Sequence, residues 1–226
     1  MREFINKIPI VRTLAKVVYF TLIDPFKKFR GSDAYWKERY KAGGHSGPGS
    51  YSKFAEYKSE ILNAFVHNQN IKTVIEFGCG DGNQLESATY PSYVGYDISP
   101  EALSQCRTMF SGDPTKTFKL VDDYTNDTAE LTLSLDVVYH LTEDDVFAAY
   151  MQRLFDSATR FVVVYSSNTD EQEKYQAPHL KNRAFSKWID QYQHGWKLMQ
   201  HIPNKFPYTG DNTKSAFADF YIYERV

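Results

Sequence analysis

Thr73-Val74-Ile75-Glu76-Phe77-Gly78-Cys79-Gly80-Asp81-Gly82 is the stretch on which the reading of this chain turns. Its first five residues are β-branched or apolar apart from one acid, the composition of a strand. Three glycines at alternate positions then permit a tight turn and a close approach of the backbone to a ligand. A helix is expected next, over residues 83–88, so the local order is strand, glycine-rich turn, helix. Alone, such a turn is often no more than a turn. The neighbouring strand adds the second element: residues 92–96 run into Asp97. In a doubly wound sheet an acid there lies beside the first turn, at the carboxyl edge where ligands bind. A carboxylate in that place suits the two hydroxyls of a ribose.

The alternation continues outward from this pair. Pro100–Met109 reads as a helix with proline near its start, and residues 117–121 as a third strand followed by Asp122 and Asp123. Either acid is placed to accept from an adenine amine farther along the same edge. A fourth strand at 131–135 turns through Asp136 to His140 into a helix over 143–155. The fifth, at 160–165, is apolar on both faces and reads as a buried parallel strand. After a helix at 185–193, Trp196–Ile202 and 218–223 are two strands with only a loop between them, which makes them antiparallel. The expected fold is α/β: a doubly wound, mostly parallel seven-stranded sheet with an antiparallel last strand and an N-terminal helical extension.

Upstream of the decisive stretch the chain changes character. Residues 1–30 carry seven Lys or Arg against Glu3 and Asp24. Their apolar residues recur every third or fourth position, an amphipathic helix beginning near Pro9. The uncharged run over 17–23 falls far short of the ~20 residues that cross a bilayer, and no small-residue cleavage site marks a signal peptide. The helix is expected to pack on the domain or a second subunit, with a peripheral membrane contact as the alternative. Residues 31–49, including Gly43-Gly44-His45-Ser46-Gly47-Pro48-Gly49, show neither period and read as a loop that can move. A helix over 52–67 follows, with Phe54, Tyr57, Ile61, Leu62 and Phe65 on one face.

A length of 226 residues suits one α/β core plus an extension. With 42% hydrophobic and 24% charged residues the chain is a soluble globular protein rather than a disordered one. Beyond residue 30 it holds 19 basic against 26 acidic residues, a net of −7, which disfavours a nucleic-acid partner. Cys79 and Cys106 have neither metal-ligand nor redox-pair spacing, which fits a reducing cytoplasm.

The run from Glu76 to Gly82, the acid at Asp97, and Leu133-Ser134-Leu135-Asp136-Val137-Val138-Tyr139-His140-Leu141 resemble the successive motifs of class I, Rossmann-like S-adenosylmethionine-dependent methyltransferases. The closing antiparallel pair is similar to that family's sheet ending. Asn83 stands where nucleotide oxidoreductases usually place a third spaced glycine, which separates this chain from them. The segment holding Tyr35-Trp36, Arg39-Tyr40 and Gly49-Ser50-Tyr51 is similar to the N-terminal cover of bacterial glycan and small-metabolite methyltransferases. On this reading the chain divides into a basic helix (1–30), a helical and Gly-rich cover (31–70) and a methyltransferase domain (71–226).

The resemblance implies S-adenosylmethionine as cofactor. Glu76, Gly78, Cys79 and Gly80 would hold it on the turn, with Asp97 and Ile98 at the ribose and Asp122 at the adenine. Tyr35 and Arg39 would close over it, the guanidinium holding the methionine carboxylate through a bidentate pair. It further implies displacement at the sulfonium methyl by an incoming oxygen or nitrogen, where alignment and exclusion of water do most of the work. A hydroxyl acceptor benefits from a base, for which His140 is the candidate; it lies one turn after Asp136, and these two catalytic candidates are expected to face the methyl group together. His179, Lys181 and Arg183 lie where family members place acceptor-recognition insertions, and a cation there suits a phosphate or carboxylate on the acceptor. No dedicated metal spacing is present. The expectation is O-methylation of a sugar, glycan or related small metabolite. N-methylation of a small amine or protein side chain and a non-catalytic cofactor-binding interaction module are the rivals.

Overall fold

The computed structural model describes residues 29–174, 176–211 and 213–226. The helix expected within residues 1–30 therefore lies outside the described residues, except for Phe29 and Arg30. Among the described residues two helices come first, α1 (Ser32–Lys41) and α2 (Ser52–Asn68). They precede β1 (Val74–Phe77), β2 (Tyr93–Asp97), α3 (Pro100–Met109), β3 (Lys116–Leu120), β4 (Ala129–Leu135), α4 (Asp144–Asp156), β5 (Ala158–Ser166), α5 (Phe185–Tyr192), β6 (Trp196–Ile202) and β7 (Asp219–Arg225).

The strands form one sheet in the order β3-β2-β1-β4-β5-β7-β6. The first five in that order are parallel, and β7 runs antiparallel between β5 and β6. Because strand order reverses beside β1, a crevice opens there at the carboxyl ends of β1 and β4. Alternation along each strand supplies two cores. Phe161, Val163 and Tyr165 of β5 face Leu62, Phe65 and Val66 of α2. Val162 and Val164 face Phe147, Met151 and Leu154 of α4 together with Phe185 and Ile189 of α5. Both faces of β5 are thus covered, which is why its sequence is an unbroken apolar run.

Local signals account for the element starts. Ser99 caps α3 by accepting from the Ala102 amide at 3.2 Å, and Pro100 occupies the first turn, where no amide donor is needed. Asp144 and Asp145 sit in the first turn of α4, where the helix dipole favours negative charge.

Two expectations are corrected. Residues 83–88 form only a short 3-10 turn, Asn83–Leu85. The Asp81 side chain takes the Asn83 amide, the Asn83 side chain is tied to the Ser50 carbonyl, and Pro91 lies too close for a longer helix. Within residues 31–49, read as a loop, α1 spans Ser32–Lys41. It shows no apolar stripe because its aromatic residues contact different partners on different sides. Tyr35 stacks on His179, whereas Trp36 meets His140 edge-on. Among the described residues no helix is long and apolar enough to cross a membrane.

Candidate active site

The turn leaving β1 and the acid ending β2 meet at the crevice. Gly80 donates its amide to Asp97 Oδ2 and Ser99 donates to Oδ1, both at 2.9 Å. Burial pushes the Asp97 carboxyl above its ordinary pKa, against the pull of these hydrogen bonds. Gly78 and Gly80 have φ of 84° and 59°, the left-handed region that glycine tolerates. A Cβ on Gly80 would stand 2.4 Å from Ser46 Oγ and 2.8 Å from the Tyr40 hydroxyl, so glycine is what lets the cover descend on the turn.

The cover is fastened at two points. Asp81 Oδ2 accepts from the Ser46 amide at 2.9 Å and from the Tyr51 hydroxyl at 2.7 Å. At the other end, Glu143 accepts from the Ser32 amide at 2.9 Å and from the Ser32 hydroxyl at 2.7 Å. Beneath it lies a cavity of about 320 Å3. Glu76, Gly78, Cys79, Gly80, Asp97, Ile98, Asp122, Asp136 and His140 all line it. Of the two acids after β3, Asp122 lines this cavity and Asp123 does not.

Tyr35 and Arg39 stand elsewhere. Residues four apart share a helix face, so Trp36 and Tyr40 of α1 look into the first cavity while Tyr35 and Arg39 turn toward the next loop. Tyr35 stacks on His179 with ring centres 4.3 Å apart. Arg39 lines a second cavity of about 190 Å3, bounded also by Phe54, Tyr139, His179 and Phe217. Asp136 and His140 border both cavities.

At this junction, Asp136 holds a left-handed φ of 61°. Its Oδ2 pairs with Lys58 Nζ at 2.5 Å, and its Oδ1 accepts from the Tyr139 hydroxyl at 2.7 Å. His140 Nδ1 lies 3.1 Å from the His179 carbonyl. A carbonyl only accepts, so Nδ1 carries the proton and Nε2 keeps its lone pair. Burial pushes the His140 pKa down to about 3, with the His179 carbonyl bond opposing, and the imidazole is neutral at physiological pH. Burial also pushes His179 down to about 4, with the Arg39 charge acting in the same direction. Glu76, buried on the cavity wall, is raised to about 7 by desolvation, although the Tyr93 hydroxyl bond at 2.7 Å favours its ionised form.

Lys181 and Arg183 are spent on structure. Both pair with Asp144 Oδ1, at 2.6 and 2.7 Å, and Arg183 also donates to the Leu141 and Thr142 carbonyls. Among the described residues, no group of three or more His, Cys, Asp or Glu is arranged to hold a metal ion.

Several side chains that shape the site carry little local signal in the sequence. Lys58 is fully buried in α2 among Phe54, Tyr57, Leu62 and Phe65. A lysine inside an apolar stripe is a legible sign of a buried partner. Gln84 lines the first cavity with its Oε1 buried and unpartnered. The Glu143–Ser32 contact joins residues 111 positions apart and leaves no local signal.

A sheet in this order, with a glycine turn and a strand-end acid meeting at the switch point, is the class I, Rossmann-like methyltransferase fold. Residues 75–163 match the family model described as methyltransferase domain. Over those residues the chain resembles class I S-adenosylmethionine-dependent methyltransferases. No curated protein matches the chain. Among solved structures it is similar to the methyltransferase domain of bacterial CtHen1, at 16% identity and TM-score 0.56 over 74% of this chain and 96% of that one. The N-methyltransferase NodS from Bradyrhizobium japonicum aligns at 10% identity and TM-score 0.58, over 77% and 98%. The magnesium protoporphyrin IX methyltransferase ChlM from Synechocystis, solved with bound SAM, aligns at 12% identity and TM-score 0.55, over 95% and 97%. At such identities the likeness is one of fold.

Proposed function

We propose that this protein methylates a hydroxyl oxygen of a sugar, glycan or related small metabolite in the cytoplasm, with S-adenosylmethionine in the first cavity, the acceptor in the second and His140 as base. The observation that carries the reading is the position of His140 on the wall shared by both cavities, with Nδ1 bonded to the His179 carbonyl and Nε2 free.

The first cavity fits the cofactor chemically. Glu76, Asp97 and Asp122 give it an acidic lining, suited to a ligand that is cationic overall through its sulfonium and ammonium groups. The unpartnered Gln84 Oε1 needs a donor, and an amine or ribose hydroxyl supplies one. Gly78 and Gly80 hold the left-handed turn along the cavity wall, with Val137, Ser46 and Tyr40 packed where side chains of their own would stand.

When bound, S-adenosylmethionine supplies a methyl carbon whose bond to sulfur breaks with the electron pair retained on sulfur. The chain's own part would be to take up the proton that the acceptor hydroxyl gives up, at His140 Nε2. An oxygen accepting a methyl group becomes strongly acidic, so an imidazole that burial keeps neutral beforehand can still take up its proton, with less driving force than a base whose pKa lies near the working pH.

Two measurements test this. Calorimetry with S-adenosylhomocysteine should show binding by the wild-type chain, and absence of binding would remove the cofactor assignment. With hydroxyl and amine acceptors offered beside isotopically labelled methyl donor, mass spectrometry should find label on hydroxyl acceptors. His140→Ala should slow that transfer by roughly 10²–10⁴-fold while S-adenosylhomocysteine affinity stays within about twofold. Undiminished turnover would take His140 out of the mechanism.

A further inference from the structure

The second cavity has a charge of its own. Arg39 Nε donates to the His45 carbonyl at 2.7 Å and Nη1 to the Tyr35 hydroxyl at 3.2 Å. Among the described residues no carboxylate pairs with it, and Nη2 has no hydrogen-bond acceptor. The other ionisable groups on the cavity wall are silent: Asp136 is compensated by Lys58, and His140 and His179 are held neutral by burial. The guanidinium is the uncompensated charge, at one end of a space walled by Trp36, Phe54, Tyr139 and Phe217. Lys181 and Arg183, expected from sequence to meet an anion, line neither cavity and are both tied to Asp144.

Size narrows the ligand. A cavity of about 150 Å3 holds benzene, so the walled part of this open cavity, about 190 Å3, has room for one six-membered ring with its substituents. Aromatic walls favour a ring face, and an unpaired planar guanidinium favours a carboxylate or phosphate. A cationic amine is disfavoured by the same charge.

We propose, resting on the functional reading above, that the acceptor is a single hydroxylated ring bearing a carboxylate or phosphate, with Arg39 binding the anion while the hydroxyl faces His140. Arg39 is thereby assigned to the acceptor and not to the cofactor's carboxylate.

The test is calorimetry on the full chain saturated with S-adenosylhomocysteine, titrated with matched pairs: hydroxybenzoate against hydroxybenzamide, glucuronate against glucose, and glucose phosphate against glucose. At least one anion should bind roughly tenfold or more tightly than its neutral partner, and the arm that does so separates carboxylate from phosphate. Arg39→Gln should abolish the preference and Arg39→Lys restore part of it, with circular dichroism showing both variants folded and S-adenosylhomocysteine affinity within about twofold of wild type. Three results overturn the proposal: no anion bound by wild type, neutral partners bound equally well, or Arg39→Gln weakening S-adenosylhomocysteine while the anion preference survives. Failure of the wild-type chain to bind S-adenosylhomocysteine would instead bring down the functional reading on which it rests.

Discussion

Lys58 has 1% of its side chain exposed and Asp136 has 16%, so their ion pair is largely withdrawn from water. Such pairs contribute little net stability over an apolar replacement, but removing one partner strands the other charge. Lys58→Met should therefore destabilise the fold by about 3–5 kcal/mol in denaturant unfolding. The double variant Lys58→Met with Asp136→Asn should recover much of that loss, since no buried charge is left uncompensated. Additive losses would mean that the pair is not coupled. The same arrangement explains a limit of sequence reading. His140 and Asp136 were visible as candidates because they follow a strand, but the lysine that fixes Asp136 lies 78 residues away. Arg39 and Tyr40 are adjacent in sequence and belong to one cover segment. The helix turns them about 100° apart, so they reach different cavities. Proximity along the chain could suggest the region but not the face.

The cover is the element whose role depends most on a single distant contact. Glu143 takes both the amide and the hydroxyl of Ser32 at the start of α1, the work an N-cap side chain would otherwise do. Glu143→Ala should cost the docking of α1 about 1–2 kcal/mol. Amide hydrogen exchange should then quicken across α1 while the central strands keep their protection. On the proposed reading S-adenosylhomocysteine should also bind several-fold more weakly, because Ser32, Trp36 and Tyr40 wall the first cavity. Unchanged exchange in α1 would show the helix to be held by its aromatic contacts instead. Elements whose boundaries rest on local chemistry were legible in the sequence. Ser99 and Pro100 mark the start of α3, and the apolar run through Val162 and Val164 marks β5. Helix α1 was not legible, because its ring contacts lie on several sides and produce no period.

Across the whole molecule, burial of ionisable groups at the two cavities sets opposing pH dependences. His140 and His179 have folded pKa values of about 3 and 4 against 6.5 unfolded, so between these limits the unfolded chain holds protons that the folded chain lacks. Their contribution is complete above 6.5 and is lost as pH falls. Glu76 acts the other way. Its folded pKa of about 7 exceeds the unfolded 4.5, so the folded chain holds the extra proton, and the contribution present below 4.5 fades as pH rises through 7. Asp97, raised by burial, has the same sign as Glu76. Differences between wild type and single variants isolate each group from the rest. The stability of wild type minus that of Glu76→Gln should decline from pH 4.5 to 7 by up to about 1.4 kcal/mol per pH unit. For His140→Gln the corresponding difference should climb over pH 4 to 6.5. Denaturant midpoints taken at half-unit pH steps would measure both. Two differences that slope the same way would mean that the acid and the imidazole do not share the buried, water-poor boundary on which the proposed proton transfer depends.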